Sequence, residues 1–290
     1  MKLTKTDHSV IRVEFDCEED TSIIWAADLH TDSVDTYRQK IKKIFDANPT
    51  SKIIIGSDFS DMMQNFGDKR ASKGKDRYNT PNYINEIIKD LSDFFLPYAD
   101  RIISFNLGNH ELSSIKFHGV NIAEAIASSI NIKAGTGILV NDFSGFYQLK
   151  FKNKSDRGDV EYLIYYSHRP ISGGTRSKGM LSSDIVAGQY PTADMYIHEH
   201  IHTSLIHPLS VEIVNNRSGK RGKKDKWFIV MPTMKEEDQG PRNSYHHQKN
   251  YEPTWIGMIK LDFSVVVFYK SIERLTKACY VKANPYYLQP

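Results

Sequence analysis

Apolar residues occur along this chain in short continuous runs, and these runs predict strands. They are rich in Ile, Val, Tyr and Phe and are bounded by polar or glycine-containing turns. The runs cover residues 22–27, 52–56, 101–108, 162–167, 194–198, 227–231 and 258–269. Near-continuous apolar runs are typical of strands whose two faces are both buried.

Between the early runs, apolar residues recur every three or four positions, which predicts helices. The helical patterns cover residues 34–45 and 83–95, with a third candidate at 120–130. Strands that alternate with helices predict an α/β fold in which helices cover the sheet. After about residue 203 the helical period disappears, so the second half is expected to add a mostly β layer. We expect a single domain over residues 1–290, because no long linker or repeat interrupts the pattern.

Composition and cysteine content narrow the class of protein. The 290 residues are 40% apolar and 25% charged, as in ordinary soluble proteins, and no apolar run approaches the roughly 18 residues that span a bilayer. Charges interrupt residues 1–20, so a signal peptide is not indicated and a cytoplasmic location without membrane association is expected. Cys17 and Cys279 form no CxxC pair, so any metal must use His, Asp and Asn.

The net charge of +3 is too small to indicate an acidic partner by itself. Basic residues are nevertheless concentrated in two clusters, at 68–77 and 217–226. Such charge runs usually form solvated loops, and that is the first interpretation here. The alternative is a surface that contacts a polyanion such as nucleic acid.

Residues of the kinds that bind metal ions follow five of the predicted strands. In chain order they are Asp28 and His30; Asp58 and Asp61; Asn109, His110 and Glu111; His168; and His198, His200 and His202. In open α/β sheets, ligands bind beyond the carboxyl ends of the strands. We therefore expect these five segments, which are distant in the chain, to meet at one edge.

The ligand types favour two divalent cations that act on a phosphoester. Two cations about 3.5–4 Å apart can screen the charge of the ester and activate a water. A mixed set of imidazole, carboxylate and amide ligands suits Mn, Fe, Zn or Co better than Mg or Ca. On extended backbone, a spacing of two places Asp28 and His30 on the same side. Each motif alone has an ordinary explanation; Asn109 and Glu111, for example, are typical of a helix start.

The order and spacing of these motifs resemble the calcineurin-like metallophosphoesterase superfamily. Its pattern is D-x-H, G-D-x-x-D, G-N-H-E, a lone His and G-H-x-H, and the match extends from about Ile23 to Thr203. The resemblance implies a four-layer α-β-β-α sandwich with mixed sheets and a metal site at the carboxyl ends of the strands. It also implies phosphoester hydrolysis by a water that two divalent ions activate, with Mn as the first choice and Fe, Zn, Co or Ni as alternatives.

The resemblance also implies a role for each motif residue. One metal would be held by Asp28, His30 and His202 and the second by Asn109, His168 and His200, with Asp58 bridging the two. His110 would contact the phosphate or protonate the leaving oxygen, and Asp61 or Glu111 would orient it. A histidine suits this role because its ordinary pKa lies near neutral pH.

The sequence departs from the superfamily pattern at two positions. Ser57 and Glu199 stand where the superfamily has Gly, in G-D-x-x-D and G-H-x-H respectively. Loss of the second Gly either reshapes that loop or adds a carboxylate behind the metal ligands. The pair His198/His200 is an alternative to His200/His202, but counting from the start of the strand favours the latter and leaves His198 spare.

Two further segments, 167–179 and 244–251, resemble a bacteriophage-encoded branch of the superfamily, which would place the protein in the host cytoplasm. The first segment is a Gly-rich loop that carries Arg176 and Lys178, which are candidate substrate-binding residues. The planar guanidinium of an arginine suits bidentate phosphate contact. The alternative for each segment is an ordinary solvated loop or turn.

Three classes of function remain open. The favoured class is a phosphodiesterase or nuclease-like enzyme, because the basic clusters suit a polyanionic substrate such as nucleic acid. The second is a phosphomonoesterase that acts on a phosphoprotein or nucleotide, and the third is a non-catalytic scaffold that has kept the fold. Because every ligand position is filled and His110 is present, the sequence argues against the scaffold. No obligate protein partner is indicated.

Overall fold

The computed structural model describes residues 1–15, 21–33, 35–62, 82–152, 159–170, 179–214, 219, 221–236, 255–269 and 277–290. The strands in these ranges are β1 (Lys2–Asp7), β2 (Val10–Phe15), β3 (Thr21–Ala26), β4 (Lys52–Ile55), β5 (Ile102–Asn106), β6 (Leu139–Asn141), β7 (Ser144–Phe151), β8 (Val160–Ser167), β9 (Met195–His198), β10 (Leu205–Val214), β11 (Arg221–Val230), β12 (Met258–Tyr269) and β13 (Lys277–Leu288). The α-helices are α1 (Arg38–Ala47), α2 (Tyr83–Phe95), α3 (Asn109–His118), α4 (Ile122–Ala134) and α5 (Ser183–Gln189).

Within this described part of the chain, the strands form two mixed sheets. The seven-stranded sheet has the order β1-β2-β7-β8-β9-β11-β10, and the six-stranded sheet has the order β13-β12-β3-β4-β5-β6. In the six-stranded sheet, β3 to β6 are parallel, and β12 is antiparallel to β3. In the seven-stranded sheet, β8, β9 and β11 are parallel to one another. The predicted α/β class with mixed sheets is confirmed.

The two sheets share one apolar core, so they pack against each other. Buried residues of β2, β7 and β8 from one sheet meet buried residues of β3 and β12 from the other. Trp25 of β3 packs edge-on against Tyr147 of β7, with ring centroids 5.2 Å apart. Each fully buried side chain of this size contributes roughly 1.5–3 kcal/mol through burial. This core fixes the carboxyl end of β3 relative to the seven-stranded sheet.

Helices pack against strands of each sheet. Ile41, Ile44 and Phe45 lie on one side of α1 at helical spacing and are buried in a core shared with α2, α4 and β4. On the seven-stranded sheet, aromatic residues of β8, β9 and β11 pack near Val186 of α5. In the described ranges, no helix combines the length and the apolar character that a membrane span needs.

The structure agrees with the predicted elements where the apolar pattern is strongest. The continuous runs correspond to β3, β4, β5, β8, β9, β11 and β12, and the helical patterns correspond to α1, α2 and α4. As predicted, the regular elements described beyond residue 203 are strands. The predicted runs did not include β1, β2, β6, β7, β10 or β13. In β2 and β7, buried and partly buried residues alternate. The apolar pattern did not predict α3 either. A helix start was only the alternative interpretation of the motif at Asn109.

The interpretation of the second basic cluster, at 217–226, as a solvated loop is wrong for residues 221–226. Residues 221–226 belong to β11 and pair with β10. Lys224 forms an ion pair with Asp194. Lys226 is only 4% exposed, and its ammonium group donates to the carbonyl oxygen of Pro191 at 2.7 Å. These two lysines therefore stabilise the sheet. The first cluster, at 68–77, lies outside the described residues.

Candidate metal centre

Loops at the carboxyl ends of five strands bring the predicted ligands together. Asp28 and His30 follow β3, Asp58 follows β4, Asn109 begins α3 just after β5, His168 follows β8, and His200 and His202 follow β9. Backbone hydrogen bonds join two of these loops: the amide of Asp28 donates to the carbonyl of Ser57 at 2.9 Å, and the amide of His30 donates to that of Asp58 at 3.0 Å. The six-stranded sheet supplies three of the loops, and the seven-stranded sheet supplies two.

Five of the predicted ligands have left-handed backbone conformation. The φ angles are 50° for Asp28, 45° for His30, 50° for Asp58, 81° for His200 and 56° for His202. This region costs a non-glycine residue roughly 1–3 kcal/mol, and such strain concentrates at functional sites where the fold imposes it. Asp28 and His30 therefore do not lie on extended backbone, and that prediction is wrong. Strand β3 ends at Ala26, and a turn rather than strand parity directs both side chains.

One group of ligands, the Asp58 cluster, comprises Asp58, Asn109, His168 and His200. The Nε2 atom of His168 lies 2.9 Å from Oδ2 of Asp58 and 2.9 Å from Oδ1 of Asn109. The same atom lies 3.1 Å from Nδ1 of His200. The close approach of α3 requires glycine at position 108, because a Cβ there would lie 2.0 Å from Oδ1 of Asp58.

A second group, the Asp28 cluster, comprises Asp28, His30 and His202. Oδ1 of Asp28 lies 3.3 Å from Nε2 of His202, and the ring of His30 packs edge-on against that of His202. One ligand atom from each of the three residues lies within 4.8 Å of the others. The amide of His200 donates to both carboxylate oxygens of Asp28 at 3.2 Å, so the two clusters are adjacent.

The chemistry of both clusters fits divalent cations. Imidazole nitrogens, carboxylate oxygens and amide oxygens all offer lone pairs, and a cation is the group that lets several of them converge. With metal–ligand bonds of about 2.0–2.2 Å, neighbouring ligand atoms stand roughly 3 Å apart, which matches the separations around Nε2 of His168. Within the described ranges, Nε2 of His30 is buried without a hydrogen-bond partner. These groups can hold metal ions, and the bridging role of Asp58 stays a prediction.

His110 lies beside both clusters. Its Nδ1 atom contacts the backbone carbonyl oxygen of Asp61, and its Nε2 atom lies 3.7 Å from Oδ2 of Asp58. Its ring packs edge-on against the ring of His30, with centroids 5.1 Å apart. Because a carbonyl oxygen can only accept, Nδ1 carries a proton in this contact, and Nε2 faces the ligands.

Asp61 and Glu111, the two predicted partners of His110, have different contacts. Asp61 touches Nδ1 of His110 with its backbone carbonyl, while its carboxylate lies 3.9 Å away. The carboxylate of Glu111 instead accepts hydrogen bonds from the amides of Gly108 at 2.8 Å, Ser60 at 3.0 Å and Asp58 at 3.1 Å. Glu111 therefore shapes the loop that presents Asp58, and its described hydrogen bonds do not reach the ring of His110.

Buried charges in the site shift the pKa values of its residues. Burial would raise the pKa of Asp58, but the imidazoles of His110 and His168 outweigh it and hold that pKa well below its ordinary value. Burial acts to lower the pKa of His168, but the nearby carboxylate of Asp58 raises it well above its ordinary value. Burial lowers the pKa of His200, and the charge of His168 lowers it further. An ion bound by His168 would compete with a proton for its Nε2 atom.

Lys235 is a residue of the site that the sequence analysis missed. It follows β11 and is 7% exposed, and its ammonium nitrogen lies 3.3 and 3.4 Å from the carboxylate oxygens of Asp61. Oδ1 of Asp61 also lies 3.0 Å from Nδ1 of His30. Burial would raise the pKa of Asp61, but Lys235 and His30 hold it below its ordinary value. No sequence motif marks Lys235. Its position just after a predicted strand is the signal that could have identified it.

His198 and Glu199 both lie outside the two ligand clusters, which fits the choice of His200 and His202 as the ligand pair. His198 is buried outside both clusters, with its ring 5.2 Å from that of Phe228, and burial lowers its pKa to about 4. Glu199 is fully buried behind the Asp58 cluster, with Oε2 3.5 Å from Nδ1 of His168. The pair His200/His202 thus belongs to the two clusters, and His198 does not.

The predicted substrate-binding residues Arg176 and Lys178 lie outside the described residues, as does the segment at 244–251. Their contact with a phosphoester stays a prediction.

Comparison with known proteins finds only distant structural likeness. No family model matches the chain, and no curated protein matches it. Among solved structures, it is similar to GAP50, the anchor in the inner membrane complex of Plasmodium, with 12% identity, a TM-score of 0.44 and coverage of 89% of this chain and 88% of that one. It is also similar to the protein of unknown function AQ665 from Aquifex aeolicus, with 15% identity, a TM-score of 0.27 and coverage of 63% and 80%. At these TM-scores, neither likeness supports an inference about fold or function.

Proposed function

We propose that this protein is a two-metal phosphoester hydrolase, with a phosphodiesterase or nuclease-like activity as the favoured form. The observation that carries the proposal is the convergence of seven predicted ligands, from five separate loops, into the adjacent Asp28 and Asp58 clusters. The four-layer α-β-β-α arrangement of metallophosphoesterases is part of the same proposal, and the two sheets that share a core support it.

In this proposal, Asp28, His30 and His202 hold one divalent ion, and Asn109, His168 and His200 hold the other, with Asp58 between them. Such ions polarise a phosphoryl oxygen and lower the pKa of a water that binds them. His110 supplies the proton transfer, since its Nδ1 is engaged by the carbonyl of Asp61 and its Nε2 faces Asp58. The left-handed backbone of five ligands supports a functional role, because backbone strain of this kind concentrates at functional sites.

The test is the dependence of activity on metal. Protein stripped with EDTA should be inactive toward bis-p-nitrophenyl phosphate, p-nitrophenyl phosphate, single- and double-stranded DNA and cyclic nucleotides. Mn²⁺ should restore activity best, and the diester and DNA substrates should respond most strongly. Full activity in the stripped sample would contradict the two-metal proposal, whereas activity restored only on the monoester would indicate a phosphomonoesterase.

A further inference from the structure

Glu199 is a buried carboxylate that lies against the proposed metal ligands without belonging to them. It follows β9, its side chain is 0% exposed, and Nε1 of Trp25 donates to its Oε1 atom at 2.7 Å. The backbone amide of Ser57 donates to its Oε2 atom at 3.1 Å. The same Oε2 atom lies 3.5 Å from Nδ1 of His168. Glu199 thus connects a strand of the six-stranded sheet with a ligand from the seven-stranded sheet.

The fold provides a dedicated space for this carboxylate. A Cβ on Gly56 would lie 2.5 Å from Oε1 of Glu199 and 2.6 Å from Cβ of Ala27, so position 56 must remain glycine. The hydrogen bond from position 57 to Glu199 uses the backbone amide, which glycine would also supply, so it does not depend on the serine side chain. Of the two departures from the sequence pattern, Glu199 is therefore the one that brings a new polar group to the site.

The Nδ1 atom of His168 lacks a better-placed partner. The side chain of His168 is fully buried, and among the described residues its Nδ1 atom makes no hydrogen bond within strict geometry. The carboxylate of Glu199 is the acidic group that faces it, while Nε2 faces Asp58 and Asn109. Histidines that bind metal usually donate their second ring nitrogen to a carboxylate or carbonyl, which fixes the tautomer and the ring orientation.

We propose that Glu199 is a positioning residue that accepts the Nδ1 proton of His168 and so keeps Nε2 directed at the Asp58 cluster as a ligand. This inference rests on the proposed two-metal function. A buried carboxylate needs partners to offset its desolvation, and Trp25, Ser57 and His168 supply them on three sides. The role is specific to this chain, because the superfamily pattern has glycine at this position.

The variants Glu199→Gln and Glu199→Met separate this role from simple packing. Oε1 of Glu199 accepts from one donor, the indole of Trp25, whereas Oε2 faces two, the amide of Ser57 and Nδ1 of His168. The single oxygen of glutamine should therefore take the place of Oε2 and keep an acceptor for Nδ1, while its NH₂ group meets the indole. Methionine has a similar length but offers neither oxygen. A purely structural role for Glu199 predicts that metal affinity falls in step with stability in both variants.

The main readout is Zn²⁺ affinity, measured by titration and native mass spectrometry beside urea unfolding. Glu199→Gln should lose stability but keep the wild-type affinity at both sites. Glu199→Met should weaken Zn²⁺ binding roughly 10- to 100-fold at one of the two sites. An unchanged affinity in Glu199→Met, or an equal loss of affinity in Glu199→Gln, would overturn the inference.

Two further variants keep the test informative if Glu199→Met folds poorly. Trp25→Phe removes the indole donor to Oε1 but leaves Oε2 beside His168, so it should lower stability and leave Zn²⁺ affinity unchanged. Asp194→Asn is the matched control, since Asp194 accepts from the amide of Leu163 at 2.7 Å before the other end of β9. It should leave the affinity of both sites unchanged. A wild type that binds no divalent metal would refute the proposed function and the inference with it, whereas two intact sites in Glu199→Met would refute the inference alone.

Discussion

Asp58 and His110 are neighbours with different contacts, and this difference separates a ligand from an acid–base residue. Oδ2 of Asp58 lies 2.9 Å from Nε2 of His168 but 3.7 Å from Nε2 of His110. The ring of His110 is held through Nδ1 by a backbone carbonyl, so its position does not depend on a metal. Removal of each side chain should therefore have a different effect on metal content.

We predict that Asp58→Ala loses both ions, whereas His110→Ala keeps both. Only Asp58 is placed in the proposal to bind the two ions, and its carboxylate already faces His168. His110→Ala should lower the rate by roughly 10²–10⁴-fold, the usual contribution of a positioned acid–base group. Metal content by plasma mass spectrometry, measured beside the rate, tests this division. A metal-depleted His110→Ala protein would show that His110 is itself a ligand.

His198 provides a prediction about pH. Burial lowers its pKa to about 4, so the folded protein keeps it neutral while the unfolded chain takes up a proton below its ordinary pKa of 6.5. The free energy of unfolding should therefore fall as the pH drops from about 6.5 to about 4, by about 3 kcal/mol from this residue. Above that window the contribution is constant.

The variant His198→Leu removes this titration and keeps an apolar contact with Phe228. Its stability relative to the wild type, from urea unfolding in the presence of a chelator, should increase steadily as the pH falls through the window. A difference that stays constant over the same range would mean that His198 is protonated in the folded protein.

The residues of the site show what spacing reveals and what it leaves hidden. The sequence identified Asp28 and His30 correctly as neighbours, but it assigned them extended backbone, and the structure has a left-handed turn. Side-chain identity limits the possible ligands, whereas backbone conformation depends on contacts from other loops. Lys235 was missed for the same reason. It belongs to the site through a contact with Asp61, which is distant in the sequence.

At the scale of elements, strands with two buried faces were predictable and strands with one were not. Strand β4 reads as a continuous apolar run, and three of its four residues are buried. In β7 every second residue is buried, so its polar positions break the run. The helix α3 was harder still, since its apolar residues Leu112, Ile115 and Phe117 are exposed and give no amphipathic period.

The start of α3 carries a testable contribution to the site. Glu111 accepts hydrogen bonds from the amides of Gly108, Ser60 and Asp58, so Glu111→Gln leaves at least one of these donors facing an NH₂ group. We expect a loss of about 2–4 kcal/mol in the free energy of unfolding, together with weaker metal binding, because the loop that presents Asp58 loses its anchor.

Urea unfolding and metal titration measure the two effects of Glu111→Gln. The matched control is Glu124→Gln, because Glu124 occupies the first turn of α4 but is exposed. That variant should stay within about 0.5 kcal/mol of the wild type. Equal stability losses in the two variants would show that Glu111 acts only through the helix and not through the loop.

At the scale of the whole molecule, the partners of the strands were not predictable from their own residues. Strand β2 is parallel to β7, and Val10 lies opposite Phe146, so nearly half of the chain separates the two paired residues. An apolar strand fits many neighbours, and the choice depends on which helices and loops cover each face. The candidate site was nevertheless predictable, because polar residues at the carboxyl ends of the strands lie at the same edge whatever the order of the strands.

The division of ligands between the two sheets has a consequence for folding kinetics. Asp28 and His30 come from one sheet and His202 from the other, so an ion in the Asp28 cluster would cross-link the sheets. If the sheets dock after the transition state, metal should slow unfolding and leave the refolding rate unchanged. At a free Mn²⁺ concentration about 100 times the dissociation constant, a stabilisation of about 2.7 kcal/mol corresponds to roughly 100-fold slower unfolding. Stopped-flow measurements should show this effect in the wild type and not in Asp58→Ala, whereas faster refolding with Mn²⁺ would mean that the sheets dock before the barrier is crossed.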